Sequence, residues 1–169
     1  MRPAQPLLVV VLGLPGTGKT TFARALAARL EAVHFNTDKL RTELGLRGQY
    51  DEAVKARIYG ELLERCRTGL AQGNPVILDG TFYLQAFRDR LAELALTAQA
   101  RTKWIEILAS PQTVEQRVSR ERPFSEADFA VYQKIREAFE PLQGERLQLF
   151  SDRQPLEAML GLALEYVKS

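Results

Sequence analysis

The chain has 169 residues, 46% of them hydrophobic and 26% charged, and a formal net charge of +2. That length fits one domain, residues 1–169, with a substantial core; so small a charge gives no argument for nucleic acid or an anionic membrane as partner. The single cysteine excludes an internal disulfide and suits a reducing compartment, and no apolar run approaches a membrane span, so a cytoplasmic protein with no membrane partner is expected.

Behind a short tail expected to be loose, Leu7 to Leu12 form a continuous apolar run rich in β-branched residues, the mark of a strand buried on both faces. It is too short for a secretory leader and ends in Gly13-Leu14-Pro15-Gly16-Thr17-Gly18-Lys19-Thr20. Those eight residues fill every specified position of the phosphate-gripping pattern G-x-x-x-x-G-K-[ST]. Glycines let the loop fold its N–H groups inward as an anion nest at the positive end of the next helix. Lys19 is placed to reach the β- and γ-phosphates and the Thr20 hydroxyl to ligate Mg²⁺. Phe22, Leu26 and Leu30, with Ala23 and Ala27 beside them, predict the helix that follows. Gly13, Pro15, Gly16, Thr17, Gly18, Lys19, Thr20 and Thr21 are thus the residues expected to hold a nucleotide.

Residues 32–35 read as a second strand ending at Asn36-Thr37-Asp38, followed by a helical stretch over 38–44 and a connection through Gly45 and Gly48. A longer helix over 51–72 carries Val54, Ile58, Leu62 and Cys66 on one stripe, which makes the cysteine a packed core thiol rather than a reactive one. Gly73-Asn74-Pro75 stops it. Val76-Ile77-Leu78 is the third strand and delivers Asp79-Gly80; the next helix sets Leu84, Phe87, Leu91, Leu94 and Ala98 on one face. A fourth strand is expected over 103–108, helices over 111–120 and 125–139, a fifth strand over 146–150, and a closing helix marked by Leu156, Leu160, Ala163 and Val167. Ser125-Glu126-Ala127-Asp128 reads as a capping box.

Strands separated by helical crossovers predict a parallel sheet with helices on both faces, whose ligands sit beyond the carboxyl ends of the strands. Gly13, Asp38 and Asp79 are therefore expected to converge. Asp79 there would hold Mg²⁺ opposite Thr20, or else simply open a turn with Gly80. Asp38 has two readings that are compatible, a helix N-cap and a base that aligns an acceptor hydroxyl and takes its proton late. Arg41, one turn along, is either a holder of a polar or anionic substrate group or a solvated arginine. Arg117, Arg120 and Arg122 form a basic cluster suited to a lid over residues 111–140 that brings positive charge to a transferring phosphate, against a solvated face balanced by Glu115, Glu121 and Glu126. His34, the single histidine, reads as structural, and Phe124, Phe129, Tyr132 and Phe139 as core or lid packing.

On these residues the chain resembles, over 7–167, the P-loop kinases grouped around polynucleotide 5′-hydroxyl kinases, zeta-toxin-like kinases and gluconate kinases, with their small bacterial AAA-type ATP-binding relatives. The resemblance rests on the loop at 13–20, Asp38 with Arg41, Val76-Ile77-Leu78-Asp79-Gly80-Thr81, the Arg117 and Arg120 region, and the 125–128 capping box. It implies a three-layer α/β fold with a five-stranded parallel sheet ordered 2-3-1-4-5 and a short arginine-bearing helical lid. It also implies Asp38 as base, lid arginines on the phosphates, and ATP with Mg²⁺ as cofactors. Asp79-Gly80-Thr81-Phe82-Tyr83 replaces the D-G-F-P-R of nucleoside monophosphate kinases, the guanine-reading N-K-x-D is absent, and the 120–125 connection is too short for a zinc-bearing lid. The expectation is a kinase that moves a γ-phosphate onto a hydroxyl, of a small molecule more than of a nucleic-acid 5′ end, for which the track of Arg41, Arg47, Lys55 and Arg57 is diluted by acids. The alternative is a nucleotide-binding regulatory module that hydrolyses ATP slowly and has no acceptor.

Overall fold

A computed structural model describes residues 4–121 and 126–169, and the side chains of residues 118–129 lie outside that description. The elements follow in the order β1 (Leu7–Leu12), α1 (Lys19–Leu30), β2 (Val33–Asn36), α2 (Thr37–Glu43), α3 (Glu52–Ala71), β3 (Val76–Gly80), α4 (Gln85–Thr97), β4 (Arg101–Leu108), α5 (Pro111–Glu121), α6 (Glu126–Ala138), β5 (Leu147–Phe150) and α7 (Leu156–Lys168). The five strands form one parallel sheet in the order β2-β3-β1-β4-β5, as the resemblance to P-loop kinases implies.

The unbroken apolar run of β1 follows from its place at the centre of that sheet. Leu8, Val10 and Leu12 face one core with α3 and α4, built on Ile58, Leu62, Leu78 and Leu91. Leu7, Val9 and Val11 face a second core with α1 and α7, built on Phe22, Leu26, Ile107 and Leu160. Successive residues of a strand point to opposite faces, so a strand covered on both sides needs every residue apolar. Truncating any of these buried leucines to alanine removes about 2–5 kcal/mol of stability. Cys66 is buried in the first core, and burial pushes its thiol pKa up to about 12, so the inert reading holds.

Strand register sets the site. Asn36 lies beside Asp79 across β2 and β3, and Leu12 lies beside both Gly80 and Glu106. The chain therefore leaves β1, β2 and β3 at nearly one level, while β4 runs on to Leu108 beside the phosphate loop.

Several boundaries move. The α2 helix starts at Thr37 and its N-cap is Asn36, whose Oδ1 accepts from the Lys39 N–H at 2.8 Å, so Asp38 sits inside the first turn instead of capping it. Leu84 is the N-cap residue of α4 and is partly exposed, not part of its buried face. Strand β4 begins two residues earlier than expected because Arg101 N–H donates to the Pro6 carbonyl at 2.8 Å. Tyr132 is buried and Phe139 packs on the first core. The 125–128 capping box, Arg122, Phe124 and the side chains of Arg120 and Phe129 lie outside the described residues.

Candidate active site

The loop between β1 and α1 is held by backbone contacts that only some residues permit. A Cβ on Gly13 would collide with the Ile107 carbonyl of β4 and come within 3.1 Å of Thr17 Oγ1. Gly18 is the N-cap of α1 with φ 91°, a left-handed conformation that suits glycine, and it leaves the helix without a side-chain cap. The first-turn N–H groups of α1 thus lack a side-chain acceptor and point where an anion binds. Thr17 is buried and its Oγ1 donates to the Leu14 carbonyl at 2.9 Å, bracing the loop from within.

A second brace comes from far along the chain. Ser151, in the turn after β5, donates its hydroxyl to the Thr17 carbonyl at 2.5 Å. Arg117 of α5 donates to the same carbonyl at 3.2 Å, to Ser151 Oγ at 2.9 Å and to the Ser151 carbonyl at 3.1 Å. Arg117 is therefore not a solvated arginine; its guanidinium ties α5 and the β5–α7 turn to the phosphate loop.

Lys19 lies in the cleft between these walls, with Nζ 3.4 Å from the Leu14 carbonyl. Burial lowers its pKa from the ordinary lysine value, while the carboxylates of Asp79 and Asp38 act in the opposite direction.

Asp79 is fully buried at the end of β3. Its Oδ2 accepts from Asn36 Nδ2 at 2.9 Å and lies 3.1 Å from His34 Nε2. The same Asn36 amide group donates to Thr20 Oγ1 at 3.2 Å. Because Asn36 Oδ1 is engaged in capping α2, the orientation of the amide is fixed by its contacts. The other carboxylate oxygen, Asp79 Oδ1, is buried without a hydrogen-bond partner. A buried anionic oxygen left so is costly unless a cation meets it. A carboxylate and a hydroxyl bridged by one amide match the hard oxygen donors that Mg²⁺ takes when substrate phosphates and water complete its shell, so the residues fit the metal. Among the described residues no group of three or more His, Cys, Asp or Glu gathers into an all-protein cage.

The opposite lip is built differently. The Asp38 side chain is 80% exposed, and its Oδ1 accepts from Arg41 Nη1 at 2.7 Å. Arg41 is only 10% exposed at its side chain, with the Tyr50 ring 4.5 Å from its guanidinium carbon and its Nε buried without a partner. The solvated reading of Arg41 fails. Lys55 Nζ donates to Tyr83 Oη at 3.0 Å, and the Tyr59 hydroxyl, stacked on Phe87, has its pKa pushed up to about 12, chiefly by burial.

Sequence reasoning missed His34 and Asn36 as partners of Asp79, although their i, i+2 spacing on one strand places both side chains on one face. It also missed Ser151, for which no local signal exists, and Tyr50.

An uncharacterized protein of Mycobacterium tuberculosis (strain H37Rv) and one of Mycobacterium bovis are each 38% identical to this chain over 94 residues. That match covers 48% of this chain, which spans about a fifth of their length. Among solved structures, an unliganded sugar kinase from Janibacter sp. HTCC2649 superposes with a TM-score of 0.76 at 20% identity, covering 96% of this chain and 95% of that one. A gluconokinase from Sinorhizobium meliloti gives 0.75 at 19% identity, covering 96% and 92%. The Mycobacterium tuberculosis APS kinase CysC in complex with AMPPNP and APS gives 0.75 at 18% identity, covering 99% and 100%. These likenesses establish a shared P-loop α/β fold. With the loop, the sheet order and the strand-end acids in place, residues 8–142 match the family model described as an AAA domain, and the chain belongs to that family.

Proposed function

We propose that this domain is a kinase that uses ATP and Mg²⁺ to phosphorylate a hydroxyl group, on a small molecule more than on a nucleic-acid 5′ end. The observation that carries the reading is Asp38: an exposed carboxylate in the first turn of α2 whose Oδ1 is steadied by a buried arginine. The sugar kinase, gluconokinase and APS kinase of similar fold support a small acceptor.

In this reading the nest of 13–18 and the first turn of α1 hold the phosphates, and Lys19 spans the β- and γ-groups. Asp79 Oδ1 and Thr20 Oγ1 would hold Mg²⁺, which when bound neutralises charge on the phosphate oxygens. Transfer breaks the bond between the γ-phosphorus and the β–γ bridging oxygen, which leaves with ADP, and forms a bond from that phosphorus to the acceptor oxygen. Arg41 occupies Asp38 Oδ1, which leaves Oδ2 to align the acceptor hydroxyl and receive its proton late in the step. Arg117 acts through the loop it braces, and Arg120 is the lid cation assigned to the transferring phosphate.

The test is transfer from labelled ATP to a panel of sugars, sugar acids, aminoglycoside-like polyols and 5′-hydroxyl oligonucleotides, in wild type and Asp38→Asn. A phosphorylated small acceptor is expected, with turnover falling about 10²–10⁴-fold in the variant and ATP affinity kept. Equal slow hydrolysis by both proteins, with no acceptor labelled, would leave a nucleotide-binding module instead.

A further inference from the structure

We infer that His34 is a positioning residue for the cation site: as its Nε2–H tautomer it fixes the Asp79 carboxylate so that Oδ1 faces the metal. The inference rests on the proposed cation role of Asp79 and Thr20 but not on any acceptor.

The physical argument starts from a carboxylate's freedom. An aspartate at a strand end can turn about its last side-chain bond and exchange its two oxygens unless their partners differ. Here they differ completely. Oδ2 has two nitrogen neighbours, Asn36 Nδ2 at 2.9 Å and His34 Nε2 at 3.1 Å, while Oδ1 is buried with none. An ionised carboxylate is acceptor-only, so the facing His34 nitrogen must carry the hydrogen. Asn36 gives Oδ2 one hydrogen only, because its amide group also contacts Thr20 Oγ1 and so divides its two hydrogens between the two proposed ligands. His34 has no such second duty in the site. Its side chain is 18% exposed, and the parallel register that sets Asn36 beside Asp79 sets His34 two residues back on the same face. Two donors on one oxygen concentrate them away from the other, which stays a bare ligand. Partners of this kind outside the ligand set typically shift metal affinity about 10–100-fold.

The substitution pair is His34→Gln, whose Nε2 reaches the same distance as a donor, and His34→Leu, which fills similar space without one. The measurement is Mn²⁺ binding to the protein saturated with ADP, followed by the loss of the free-ion paramagnetic signal, alongside ADP affinity in excess chelator and a thermal melt. His34→Leu should weaken Mn²⁺ binding about 10-fold or more while metal-free ADP affinity holds, and His34→Gln should restore it to within about threefold of wild type. The inference is overturned if His34→Leu binds Mn²⁺ as wild type does, if glutamine fails to rescue, or if metal-free ADP affinity falls in parallel. If His34→Leu does not fold, His34→Met, similar in reach to glutamine and lacking the donor, takes its place with the same expectations. Wild-type protein that binds no Mn²⁺ with ADP would instead remove the cation role of Asp79 itself.

Discussion

Asp79 and Asp38 stand at the tips of neighbouring elements and both favour the charged form of Lys19, yet their surroundings are opposite. Asp79 is sealed from solvent and held by two side chains of the adjacent strand, whereas Asp38 projects from the first turn of a helix with most of its surface in water. In the proposed kinase the difference separates two tasks. Gripping phosphate and metal is the same problem for any triphosphate, and is solved by rigid groups whose reorganisation is prevented in advance. Meeting an acceptor requires access, so that lip is left open and its charge is steadied by a single buried arginine. The largest expected effect breaks the closed half. Lys19→Met should lower turnover about 10³-fold or more without lowering the melting temperature, because the desolvated ammonium it removes is itself disfavoured by burial. A marked loss of stability in that variant would recast Lys19 as a structural residue.

Next in size is the brace behind the loop. Arg117→Ala removes donors to the Thr17 carbonyl and to Ser151, and should cost about 2 kcal/mol of stability together with nucleotide affinity, read by melting and by titration with a fluorescent ADP analogue. Melting and nucleotide binding that both match wild type would show that the Ser151 contact alone holds the loop. On the open lip, Tyr50→Ala strips the ring from Arg41, and Tyr50 itself is 59% exposed. The acceptor KM should rise about two- to fivefold, the range of an exposed cation–π contact, while the KM for ATP and the melting temperature stay put. A change in the ATP constant would merge the two halves that the carboxylates separate.

How far the sequence discloses this arrangement follows the same division. The run of β1, the loop glycines and the breaker at Gly73-Asn74-Pro75 act through local backbone preference, and from them the alternation of strands and helices and the place of Asp79 at a strand end are legible, whereas the sheet order is legible only through the resemblance to P-loop kinases. The cap of α2 was not. Asn36 and Asp38 are both good capping residues two positions apart, and the choice falls to Asn36, whose amide is also engaged by Asp79 across the sheet, a tertiary contact. The helical pattern leaves Arg41 open between a substrate holder and a solvated arginine, and the Tyr50 ring that lies against it comes from the loop beyond. Ser151 reaches the loop across 134 positions of sequence, a closure that no periodicity encodes.

The smallest expected effect tests whether the brace is anchored at its far end. Asp152, next to Ser151, accepts from the Ser110 N–H at 2.9 Å with Thr113 Oγ1 at 3.4 Å, so it holds the start of α5 against the turn after β5. The Ser110 backbone hydrogen bond, foremost, holds its pKa below the ordinary aspartate value, with burial acting the other way. A carboxylate whose folded pKa lies below its unfolded one stabilises the fold above the unfolded value of about 3.9. That contribution disappears as pH falls through the depressed folded value. Wild type should therefore melt higher than Asp152→Ala by a constant margin between about pH 5 and pH 8, and the margin should narrow once pH drops below about 4. A margin unchanged under acid would mean that the shape of the side chain, not its charge, fastens α5 to the turn, and the brace on Thr17 would then be insensitive to the ionisation of its neighbour.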